Sequence, residues 1–177
     1  MVNLINFITL SRIFLAPVIF IFMMLGDYII CLFLFFLGGI SDYLDGYLAR
    51  KYDAESELGE ILDPIADKIL IIFILMGLAV NLNSYLIAFL SSLILAREVW
   101  VAALRDYSSR NNISDRTKVT FMAKIKTSVQ LSTIGSYFVA LALKINLLIV
   151  ISDIFLIIAS LVTLYTGYQY TMNVFKK

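Results

Sequence analysis

The chain has 177 residues, 61% of them hydrophobic, with a mean hydropathy of +0.92; this lies well above the half-apolar usage of a soluble domain and places 1–177 in the bilayer as a single transmembrane domain. A net charge of +1 argues against a general nucleic-acid binder, and the lack of histidine removes Ser-His-Asp and Cys-His nucleophiles and most zinc sites. The lone Cys31 lies in an apolar run and reads as a buried spectator.

The N-terminal stretch MVNLINFITLSRIF has no basic start or small-residue cleavage site, and its apolar run continues to Gly26, so it reads as a retained helix. At about 20 apolar residues per span, six segments follow: roughly 3–26, 28–50, 58–81, 84–105, 118–144 and 147–172. The connections at Asp27, Asn81 to Ser84 and Lys144 to Asn146 are short. The polar stretch from Arg105 to Lys118 reads as a loop. Of the 14 Lys and Arg residues, all but Lys144 fall toward one side. The positive-inside bias therefore puts both termini, and the connections around 51–57 and 106–117, in the cytoplasm. Five spans plus a surface helix near the N-terminus is the alternative arrangement.

Four carboxylates stand out in this apolar setting. Residues three and four apart share a helix face, so Asp42, Asp45, Gly46 and Ala49 form one stripe, and Gly59, Asp63 and Asp67 form another on the next segment. A short turn makes these two helices antiparallel, so the stripes can face each other near the cytoplasmic ends. Four acids brought together at membrane depth cannot all stay ionised without a cation. All-oxygen ligation favours Mg²⁺ or Mn²⁺ over zinc, and a set of four suits a two-metal clamp on a phosphoryl group. Surface ion pairs with Arg50, Lys51 or Lys68 are the plain alternative; two acidic stripes, each with a small residue beside the acids, favour a site. Pro64 removes one backbone donor next to Asp63, either loosening the helix at the site or marking a bend set by packing.

The run Asp42-x2-Asp45-Gly46-x2-Ala49-Arg50-x8-Gly59-x3-Asp63-x3-Asp67 resembles, without a gap, the signature of the CDP-alcohol phosphotransferases. The resemblance implies an all-α integral membrane protein with six transmembrane helices, a homodimer, and a cytoplasm-facing cavity holding two divalent ions, Mg²⁺ or Mn²⁺. It implies that Asp42, Asp45, Asp63 and Asp67 are metal ligands and that Asp67 is also the general base. Gly46, Ala49 and Arg50 would border the cytidine diphosphate of CDP-diacylglycerol, together with Asp42, Asp45 and Gly59. Ser56, six residues after Arg50, stands where the family often has Ser or Thr near the nucleotide. The pattern Asn6-x2-Thr9-x2-Arg12 is similar to the family's first segment and adds Asn6 and Thr9 to the nucleotide site.

The second half must then supply the acceptor. Arg97, Glu98, Arg105, Lys124, Lys126, Thr127 and Gln130 lie near cytoplasmic helix ends in this map. Such cations often only snorkel toward headgroups. As a group they would repel choline or ethanolamine and hold an alcohol carrying its own phosphate. The stretches AREVWVAALRDY and MAKIKTSVQ resemble the corresponding segments of members that use sn-glycerol 3-phosphate, with Ala123 in place of a usual glycine. The acceptor phosphate is therefore assigned to Arg97, Arg105, Lys124 and Lys126, and the expected product is phosphatidylglycerol phosphate with release of CMP. Transfer to inositol phosphate or to phosphatidylglycerol is the alternative within the family. Divalent-cation transport is the alternative outside it, although a transporter has no need of Gly46, Ala49 and Arg50 at those offsets. The expected setting is a bacterial inner membrane, with the site facing the cytoplasm.

Overall fold

The computed structural model describes residues 2–52, 56–117 and 121–175; within the helices the side chains of 2–5, 49, 50, 57, 58, 60, 114, 116, 121, 123 and 124 lie outside that description. Among the described residues the chain is all helical: α1 (Val2–Leu25), α2 (Tyr28–Lys51), α3 (Glu57–Asn81), α4 (Tyr85–Arg110), α5 (Phe121–Leu143) and α6 (Asn146–Phe175), with a short 3-10 helix at Ser114–Thr117. The expected fold class and helix order are borne out. The stretch expected to be a loop is partly helical, because α4 continues to Arg110, whose side chain pairs with Asp106 one turn back at 3.0 Å.

Four helix ends share one device. Gly26, Asn83, Asn112 and Lys144 all have positive φ, and the residue after each donates its amide to a carbonyl five residues back: Asp27 to Phe22, Ser84 to Ala79, Ile113 to Ser108 and Ile145 to Ala140. This 6→1 closure stops a helix and satisfies its last carbonyls. Three of these ends are the short connections seen in the sequence. Glycine meets the positive φ without strain at position 26.

The segments Asn6–Leu25, Tyr28–Leu48, Tyr85–Arg110 and Asn146–Phe175 are long and apolar enough to cross a membrane. Their outward faces carry Phe14, Ile29, Phe33, Phe89 and Leu147, each mostly uncovered, as suits a lipid solvent. The chain is a membrane protein.

Two compact units make up the chain: Met1–Ser84 with Leu141–Lys144, and Tyr85–Ala140 with Ile145–Lys177. In the first, α1 packs along both α2 and α3, burying Ala16, Ile19, Met23, Cys31, Ile74 and Leu78. Gly77 permits close approach, since a Cβ there would come within 2.8 Å of Met23 Cε. Away from the acids, Tyr28 Oη donates to Asn81 Oδ1 (2.9 Å) and Asn81 Nδ2 donates to the Met23 carbonyl (3.0 Å), tying the three helices together. Cys31 is buried, as its setting implied.

In the second unit α4 packs on α6, and the 3-10 helix lies against both. Val101, Leu104, Tyr170 and Val174 form a buried cluster capped by Ile113. Polar pairs join α5 to α6: Ser136 Oγ donates to Ser152 Oγ (2.8 Å) and the Tyr137 hydroxyl to Asp153 Oδ1 (2.5 Å). The hydroxyls of Ser136, Ser152 and Tyr137 are thereby satisfied in an apolar setting.

Candidate active site

In the first unit the acids are organised by α1. Asn6, Thr9 and Arg12 recur every third residue and so lie along one side of the helix. Thr9 and Arg12 are fully buried. The Arg12 guanidinium bonds to all four aspartates. Nη1 donates to Asp42 Oδ1 and to Asp67 Oδ1 (2.7 Å), and Nη2 donates to Asp45 Oδ2 (2.9 Å) and Asp63 Oδ1 (3.3 Å). The four carboxylates therefore converge, as the helical spacing predicts, but around a cation from α1 rather than across a direct α2–α3 contact. Electrostatics explains the difference, since two bare acidic stripes repel and an intervening guanidinium gives each an opposite charge.

Thr9 adds a neutral donor: its hydroxyl lies 2.8 Å from Asp63 Oδ1 and 3.1 Å from Asp45 Oδ2. Asp45 is almost fully covered at 2% exposure, whereas the side chains of Asp42, Asp63 and Asp67 are about half exposed at 52%, 47% and 49%. One acid anchors the cluster and three stay open to a ligand.

The start of α3 lies on the same side of α1. Ser56 is its N-cap, accepting from the Gly59 amide at 3.0 Å, and its hydroxyl donates to Asn6 Oδ1 at 3.0 Å. A Cβ at Gly59 would lie 3.1 Å from Ser56 Oγ and 3.2 Å from Asn6 Oδ1. Asn6, 50 positions before Ser56, thus forms one cluster with Ser56 and Gly59. Gly46 is half-buried on α2 beside Asp45. The side chains of Ala49 and Arg50 lie outside the described residues.

The second unit gathers the basic residues. Arg97 is buried; its Nη2 donates to Thr166 Oγ1 (2.7 Å) and its Nη1 to Glu98 Oε1 (3.0 Å). The same Glu98 oxygen accepts from Lys126 Nζ. The Tyr170 ring has the Arg97 guanidinium carbon 5.8 Å and that of Arg105 5.4 Å from its centroid, within cation–π range. Gln130 Nε2 donates to Thr163 Oγ1 (3.2 Å), and the Thr166 hydroxyl donates to the Thr163 carbonyl (2.8 Å). Arg97 and Lys126 do not snorkel outward; they are held inside by Glu98. The Lys124 side chain lies outside the described residues.

Sequence reasoning used Arg12 as a marker of sidedness and as part of a first-segment pattern, and did not place it among the acids. The signal was available: an arginine inside the apolar run FITLSRIFLAPV needs an intramembrane partner. Tyr170 and Thr166 were also missed, because nothing local separates them from the other polar residues of α6.

A family profile described as CDP-alcohol phosphatidyltransferase matches residues 2–166. The chain belongs to the CDP-alcohol phosphatidyltransferase family. Among its relatives, a protein of Rickettsia felis is 36% identical over 172 residues, covering 95% of this chain and 93% of the relative. One of Blochmanniella floridana is 31% identical over 176 residues (97% and 90%), and one of Haemophilus influenzae 29% identical over 175 (95% and 91%). All three bear the name CDP-diacylglycerol–glycerol-3-phosphate 3-phosphatidyltransferase.

CDP-alcohol phosphatidyltransferases generally use divalent metal ions. Among the described residues no three Asp, Glu, Cys or His side chains are grouped as a metal site; the acids close on Arg12 instead. The donor set nevertheless suits such an ion. One guanidinium cannot balance four carboxylates, and the oxygens are those of a hard divalent cation.

Proposed function

We propose that the chain transfers the phosphatidyl group of CDP-diacylglycerol to sn-glycerol 3-phosphate, giving phosphatidylglycerol phosphate and CMP. The observation that carries the reading is that one family member has both four convergent aspartates, in one unit, and a buried Arg97–Glu98–Lys126 group, in the other. The names borne by relatives aligned along nearly the whole chain support the same substrates.

Asp42, Asp45, Asp63 and Asp67 are the residues that would hold two Mg²⁺ or Mn²⁺ ions. When bound, such ions neutralise the diphosphate and the charge that develops at phosphorus. Asn6, Thr9, Gly46, Ala49, Arg50, Ser56 and Gly59 border the nucleotide. Arg97, Arg105, Lys124 and Lys126 hold the acceptor phosphate, and the charge they supply disfavours choline and ethanolamine. Asp67 takes the proton of the glycerol 1-hydroxyl as its oxygen bonds to the phosphatidyl phosphorus and the bond to CMP breaks. Holding both substrates in place supplies much of the remaining rate.

The family profile runs through both units, which supports reading 1–177 as one catalytic domain. All six long helices cross the membrane in this reading. The basic residues put the termini and the site on the cytoplasmic side of a bacterial inner membrane, and the assembly is a homodimer.

The test is CMP release by the purified protein with CDP-diacylglycerol, Mg²⁺ or Mn²⁺, and a panel of alcohols. Glycerol 3-phosphate should be the preferred acceptor. Preference for inositol phosphate or phosphatidylglycerol would keep the family and replace the reaction.

A further inference from the structure

We propose that Arg12 is the resident counter-ion of the four aspartates, and that divalent metal binding displaces its guanidinium from them. The proposal rests on the reading that these aspartates hold the metal. Three observations lead to it.

Arg12 engages Asp42 Oδ1, Asp45 Oδ2, Asp63 Oδ1 and Asp67 Oδ1 at once, from a side chain that is 1% exposed. A divalent ion would bind such oxygens at about 2.0–2.6 Å. The guanidinium nitrogens already lie 2.7–3.3 Å from three of those atoms, so metal and guanidinium would contend for the same oxygens and repel each other.

The arrangement is also incompletely satisfied. Arg12 Nε is buried and has no hydrogen-bond partner among the described residues. A buried donor left unmade carries a cost, so the bonded position is less favourable than its four ion pairs alone would make it. Its flexible stem can carry the guanidinium off the acids while α1 stays packed between α2 and α3.

Finally, the side chains of three of the acids are about half exposed although each also bonds Arg12. An ion can approach them without prior rearrangement of the helices. Metal loading is then an exchange of cations that leaves the carboxylates charged throughout, and the freed guanidinium, a planar fork of donors, is available to a phosphate.

The experiment compares the full-length wild type with Arg12→Gln and Arg12→Lys. Mn²⁺ affinity is read from the electron paramagnetic resonance of free ion, and thermal unfolding is followed in EDTA and in Mn²⁺. Arg12→Gln should bind Mn²⁺ at least tenfold more tightly than wild type. It should unfold at a lower temperature in EDTA, with added Mn²⁺ closing the gap. Should Arg12→Gln fail to fold, Arg12→Lys decides the question, because one ammonium cannot span four carboxylates and should also bind Mn²⁺ more tightly. Equal or weaker Mn²⁺ binding by the folded variants would overturn the exchange while leaving the metal site intact. Absence of Mn²⁺ binding by wild type and variants alike would overturn the metal reading itself.

Discussion

Arg97 occupies the space that a side chain at Gly167 would need. A Cβ at Gly167 would lie 2.8 Å from Arg97 Cγ and 3.3 Å from its Nε. The clash falls in the middle of the arginine stem, which cannot yield without moving the guanidinium. Gly167→Ala should therefore raise the KM for glycerol 3-phosphate while leaving that for CDP-diacylglycerol near its original value. Overpacking of this kind costs about 1–3 kcal/mol, so the melting temperature should fall as well. A lowered melting temperature with an unchanged acceptor KM would take Arg97 out of the acceptor site.

Neutralising the cations tests the same site from the other side. Arg97→Gln and Lys126→Gln each remove a charge-assisted contact worth about 1.5–3 kcal/mol, so each should raise the acceptor KM roughly ten- to a hundredfold. Both residues share Glu98 Oε1, so the double variant should depart from additivity. Steady-state kinetics with each substrate varied in turn checks this, and plain glycerol should serve poorly throughout.

Asp67→Asn keeps the shape of the side chain and removes its ability to accept a proton. CMP release should fall by about 10²–10⁴-fold, while CDP-diacylglycerol still binds and the protein still folds. Near-normal release from this variant would remove Asp67 as the base.

Ser56 links two elements of the proposed nucleotide site. Ser56→Ala should cost about 1 kcal/mol through loss of the α3 N-cap. By releasing Asn6 it should also weaken CDP-diacylglycerol binding more than acceptor binding. Equal losses for the two substrates would show that the serine serves the fold alone.

Much of this architecture was legible in the chain because it depends on local rules. Helix positions followed from the length of apolar runs. Three helix ends followed from short polar connections, although Lys144 at φ 56 is a turn residue that no local preference announces. The acid motif was legible because i, i+3 and i+4 spacing determines which residues share a face. α4 outran its expected end the furthest, to Arg110, through the exposed Asp106–Arg110 pair.

What the sequence alone determined, then, was a membrane-bound helical chain with four aspartates on two stripes and a basic second half. Tertiary structure decided what fills the space between those stripes and what holds the basic residues. Arg12 meets acids 30 to 55 positions away, and Arg97 meets Thr166 and Gly167 about seventy positions away. No periodicity reaches that far. Those pairings follow from which helices pack together, and buried charges in an apolar medium then take the opposite charge that packing brings within reach.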